Sequence, residues 1–182
     1  MFELTYVTLV IVISVCWILA RTVYWHRNNR IHWKRELQLL LVYVCLVVVA
    51  RFTFFPFSKV NGQIQPLVFD AANCFPVRLN LIPMINLLNY PDPREALLNV
   101  IGNTAMFIPI GIVFPAVFSR LNTAKRALSA GVCFSLAIEI LQLPFYDRVS
   151  DVDDLLLNSL GYLIGYTLYR LTTNRKRKCP HV

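Results

Sequence analysis

The chain has 182 residues, of which 57% are hydrophobic and 15% charged, whereas an ordinary soluble domain carries about 25% charged residues. The net charge of +8 does not indicate nucleic acid, because thirteen of the eighteen Lys and Arg cluster just beyond apolar blocks and not on a polar face with interleaved aromatics. Five cysteines without paired spacing exclude a disulfide framework.

The first apolar block runs from about Leu4 to Ala20 and predicts a spanning helix. No basic residue precedes it, so it does not read as a cleaved leader. Arg21, Arg27, Arg30, Lys34 and Arg35 follow. The second block, Leu37 to Phe57, is interrupted by Arg51 near its far end, where a long side chain reaches the interface. Residues 58–95 form a polar stretch punctuated by Asn61-Gly62 and several prolines. This outer loop is expected to lie against the membrane, with an interfacial or re-entrant piece around Val77 to Leu88.

The third block, Ala96 to Phe118, holds Pro109 and Pro115, which predict a kinked helix. The fourth runs from Ala127 to Leu143 and the fifth from Asp154 to Tyr169, before a basic tail over residues 171–182. The expectation is an all-α, polytopic transmembrane bundle of about five spans. Residues 1–57 form two N-terminal helices and residues 96–170 a three-helix core. Thirteen Lys and Arg lie after blocks one, three and five. The positive-inside rule makes those ends cytoplasmic, which puts the N-terminus out and the C-terminus in.

On this topology the acids and amides collect at the outer mouth of the last three helices. Glu139 sits one turn from the outer end of block four, with Gln142 three residues on and on the same face. An ionisable group inside a membrane helix is costly and marks a functional site by default. A polar pair satisfied by neighbouring helices is the plain alternative. Asn99 and Asn103 share a face of block three, and buried amides need partners. Asp154, Asn158, Gly161 and Gly165 share a face of block five, where the glycines permit close helix approach. Asp151 or Asp153 can cap that helix. Gly102, Pro109 and Gly111 are the packing candidates of block three. The predicted pocket is lined by Asn99, Asn103, Glu139, Gln142, Arg148, Asp151, Asp154 and Asn158, with Asn80 reaching in from the loop.

Such a pocket admits several chemistries. Asp151 and Asp154 can offer oxygen ligands to Mg or Ca. Glu139 or Asp154 can act as acid or base. Arg148 can grip a phosphate or carboxylate. All three histidines lie on the other side of the membrane or in the tail, which argues against a transition-metal hydrolase.

The ordered series Asn80-x-x-Pro83, Asn99-x-x-Gly102-Asn103, Phe107-x-Pro109-x-Gly111 and Glu139-x-x-Gln142 resembles the VanZ-like membrane proteins. Arg148, the acids from Asp151 to Asp154, and Asn158-x-x-Gly161-x-x-x-Gly165 complete the likeness, which covers roughly residues 75–170. The resemblance implies a multi-pass protein of the bacterial plasma membrane. The family is named for a protein associated with low-level resistance to the glycopeptide antibiotic teicoplanin. Three readings follow. The first is an envelope protein that binds a membrane lipid, a lipid-linked cell-wall precursor or a lipid-tailed antibiotic at the outer pocket. The second is a membrane enzyme acting on a lipid phosphate or lipid-linked sugar. The third is a small-solute transporter, which the lack of a visible repeat disfavours. A bundle this small has few walls, and a homo-oligomer would supply more.

Overall fold

The computed structural model describes residues 2–28, 30–55, 59–60, 62–70, 79–83, 92–146 and 148–178. Among them are five α-helices: α1 (Tyr6–Asn28), α2 (Trp33–Phe54), α3 (Pro93–Val117), α4 (Ala124–Gln142) and α5 (Val152–Lys178). Six short strands accompany them: β1 (Phe2–Leu4), β2 (Lys59–Val60), β3 (Gln63–Ile64), β4 (Leu67–Phe69), β5 (Leu79–Asn80) and β6 (Ser150–Asp151). They pair two by two, as β1 with β4, β2 with β3 and β5 with β6, so the class is all-α. The sequence reading contained no strands. Of the expected interfacial segment, residues 79–80 are β5, while 77–78 and 84–88 lie outside the described residues.

The helices α1, α2 and α3 are long and apolar enough to cross a membrane. No side chain of α1 is buried by protein, although Val7, Ile11, Ile18 and Val23 lie along it, so water is a poor medium for this helix. The other two helices carry more polar residues. Lys125, Arg126 and Glu139 fall in α4, while Asp153, Asp154 and Asn158 fall in α5. The buried members of that set, Glu139, Asp153 and Asn158, lie inside the protein and are shielded from whatever surrounds it.

The chain divides into two compact units. The first contains α1, α2, β1–β4 and residues 144–148. Its helices are joined by an Arg21–Glu36 ion pair and by a Ser14–Tyr43 hydroxyl pair at 2.7 Å. Phe55, Leu67 and Phe145 form its core, with Tyr6 edge-on to Phe55. Gly62, at φ 78°, takes the left-handed backbone conformation that favours glycine.

The second unit contains α3, α4 and α5 with β5 and β6. Asp92 starts α3 by accepting a hydrogen bond from the Arg94 N–H at 2.9 Å, and Pro93 sits at the first helical position. The helix continues through Pro109, which faces outward, and Pro115, which is buried. It packs on α5 at van der Waals distance between backbones. A methyl group on Gly161 would overlap the Thr104 carbonyl, one on Gly165 the Ile108 carbonyl, and one on Gly111 the Tyr162 carbonyl. Gly131 of α4 makes room for the Tyr162 ring, where an added Cβ would lie 2.7 Å from Cγ. Phe107 and Phe114 of α3 both meet Phe134 of α4 with ring centroids 5.7 Å apart.

Candidate functional site

The first turn of α5 gathers the polar side chains. Asp151 precedes the helix, and its carboxylate accepts a hydrogen bond from the Asp153 N–H at 2.9 Å. This is an N-cap, which satisfies a helix donor and places negative charge at the positive end of the helix dipole. The same carboxylate oxygen accepts from the Asn80 side-chain amide at 3.1 Å. Parallel pairing of β5 with β6 sets that contact, because Asn80 stands opposite Asp151 and Leu79 opposite Ser150.

Glu139 approaches from the last turn of α4 and is 5% exposed. Its Oε2 accepts the Asp151 backbone N–H at 3.0 Å. The Ser150 hydroxyl donates to the Glu139 backbone carbonyl at 2.7 Å, satisfying an acceptor near the helix end. Both ends of Glu139 thus hold residues 150–151 in place. A carboxylate here is structural as well as available for chemistry.

One helical turn along α5, the Asp154 carboxylate accepts from the Asn103 amide. The same amide nitrogen donates to Asn99 Oδ1 at 3.1 Å. An NH2 group has two hydrogens, and Asn103 serves both acceptors. The four-residue spacing of Asn99 and Asn103 on α3 brings the pair to Asp154. Asp151 and Asp154 are three residues apart, so the Asn80–Asp151–Glu139 and Asn99–Asn103–Asp154 groups share one end of α5. A cavity of about 120 Å³ opens beside Glu139 and Asp151, with Leu79, Leu81, Leu136 and Ile140 among its apolar walls.

Deeper in the unit, Asn158 is 1% exposed and donates to the Ser135 hydroxyl at 3.0 Å. Its Oδ1 is buried and has no hydrogen-bond partner among the described residues. Gln142 is buried one turn beyond Glu139. Gly102 lies half-buried on α3. Arg148 falls in the first unit, where Nε and one terminal nitrogen of its guanidinium both donate to the Phe54 carbonyl, at 3.1 and 2.7 Å. That carbonyl belongs to the last residue of α2, an end that lacks helical donors and favours a cation.

Sequence reasoning missed Ser135 and Ser150, and left the cap of α5 open between Asp151 and Asp153. Ser135 was findable, because it lies four residues before Glu139 on the same face. Ser150 was hidden in a connection whose backbone course no periodicity encodes. Of the carboxylates expected to hold Mg or Ca, Asp151 turns one oxygen to Asn80 and the Asp153 N–H, and Asp154 turns one to Asn103. Among the described residues, no group of three or more His, Cys, Asp or Glu is placed to hold a metal ion.

Long apolar helices, with a carboxylate–amide network inside the final three-helix unit, define a helical membrane protein with a built polar site. The profile of the VanZ/LLP1 family matches residues 40–173, and the chain belongs to that family. It is also similar to Protein VanZ of Enterococcus faecium, with 27% identity over 110 residues, or 60% of this chain. The alignment covers 63% of that protein, less than two thirds of its length. No solved structure matches.

Proposed function

We propose that this chain is a multi-pass protein of the bacterial plasma membrane that binds an amphiphile at the mouth of α3, α4 and α5. The occupant is a lipid-linked cell-wall precursor or a lipid-tailed glycopeptide. On this reading α4 and α5 also span the bilayer, the network faces outward, and the protein confers low-level teicoplanin resistance. The observation that carries it is the carboxylate–amide network at the start of α5, set beside an apolar-walled cavity. Carboxylates and amides complement the hydroxyl and amide groups of sugars and peptides, and the leucine-rich wall suits an acyl chain.

The test compares teicoplanin inhibitory concentrations in a Gram-positive host expressing wild type, Glu139→Gln or Asp154→Asn at matched membrane levels. The expected outcome is a several-fold rise with wild type that either substitution removes. No rise with wild type, or full resistance with both variants, overturns the proposal.

A further inference from the structure

The opposite end of α4 carries a second concave feature. Helix α4 has 19 residues, so its start lies roughly 28 Å from Gln142. There a groove of about 650 Å³ is lined by Arg120, Lys125 and Arg126 with Ser129, above a floor that includes Leu121 and Cys133. None of the three cations forms an ion pair with a carboxylate among the described residues. The Arg126 guanidinium instead donates to the Arg120 backbone carbonyl at 3.5 Å, which ties the Ser119–Leu121 turn to the start of α4.

The backbone adds to this field. Thr123 takes the N-cap position with extended geometry, but its side chain caps nothing. The first turn of α4, which brings Lys125 and Arg126 to the groove, therefore has no capping side chain at the positive pole of the helix dipole. Three cations, a hydroxyl and a helix start around one concavity form a receptor for a tetrahedral anion. The apolar floor continues along the outward face of α4, through Ala130 and Cys133 toward Leu136. A free ion has no use for that floor, whereas an acyl chain does.

We infer that this groove binds the phosphate of an anionic phospholipid, with the first acyl carbons lying over Leu121 and Cys133. On the proposed topology the lipid belongs to the inner leaflet. The site would tie the short Ser119–Leu121 turn to the bilayer surface, and it stands independently of ligand binding at the other end.

The experiment uses the full chain in nanodiscs of phosphatidylcholine doped with phosphatidylglycerol, with retained lipid counted by native mass spectrometry. Wild type is expected to retain phosphatidylglycerol over phosphatidylcholine. Joint replacement of Arg120, Lys125 and Arg126 by Gln should reduce that preference about tenfold or more. A charge-matched control, Arg27→Gln, Arg30→Gln and Lys34→Gln together, should keep it. Equal loss in the control, or none in the groove variant, overturns the inference. Displacement of the lipid by millimolar inorganic phosphate assigns the site to phosphate in general and overturns the lipid-specific form. Resistance to displacement supports it.

Discussion

Asp151 does three jobs with one carboxylate and one backbone N–H: it caps α5, holds Asn80 and is held by Glu139. The cap and the amide contact depend on the side chain. Asp151→Ala should therefore cost about 1–2 kcal/mol, the usual loss of an N-cap, plus the loss of the Asn80 bond. Asp151→Asn keeps a good capping oxygen and should retain most of the stability. Thermal unfolding in mild detergent checks both, and equal melting temperatures for Ala and wild type would show that the cap contributes nothing. Asn158 presents the reverse case, since it is fully buried with one oxygen unpaired among the described residues. Sequence spacing puts Asn158 on the face of Gly161 and Gly165, but its bond to Ser135 depends on how α4 rotates against α5, which no single helix encodes.

At the scale of elements, the α3–α5 contact is the tightest in the second unit. On the proposed topology both helices lie in the bilayer, where burying apolar surface against each other gains little and close backbone approach has to supply the attraction. Gly111, Gly161 and Gly165 allow it, and an added methyl at any of them meets a main-chain carbonyl that cannot rotate away. Gly161→Ala or Gly165→Ala should each destabilise the unit by about 1–3 kcal/mol. The expected readout is a lowered detergent melting temperature and reduced yield of folded protein. An unchanged melting temperature in both would mean that the helices separate more easily than the packing implies. The small-residue seam was legible because i, i+4 spacing survives any register. Helix ends were less so. The fifth block was expected to stop near Tyr169, yet α5 runs to Lys178, because a basic stretch is a good helix former once a helix is already nucleated. Pro109, expected to pack, faces outward on α3, while Pro115 is the buried proline.

For the molecule as a whole, apolar blocks announced the helices, since hydrophobic length is a property of composition and needs no tertiary partner. The two units were not announced. Residues 144–148 join the first unit through Tyr146 N–H to the Val68 carbonyl at 3.0 Å and through the Phe69–Phe145 pairing. The Arg148 bonds to the Phe54 carbonyl at the end of α2 span 94 positions, and nothing in the local sequence signals them. Orientation is a prediction at this scale. In a background without native cysteines, Val149→Cys should react with an impermeant maleimide on intact cells. Asn122→Cys should react only after permeabilisation. The opposite pattern would invert the topology.

The β5–β6 pairing joins residues 71 positions apart, and the Asn103–Asp154 bond spans 51. A ribosome adding roughly 5–20 residues per second leaves on the order of ten seconds between Asn80 and Asp151. During that interval Asn80, Asn99, Asn103 and Glu139 exist without the start of α5. The polar network is thus a late event, closed only as the final helix arrives. A nascent chain stalled before Ser150 would carry the Glu139 carboxylate and the Asn103 amide without their partners Asp151 and Asp154, and so would differ chemically from the finished protein.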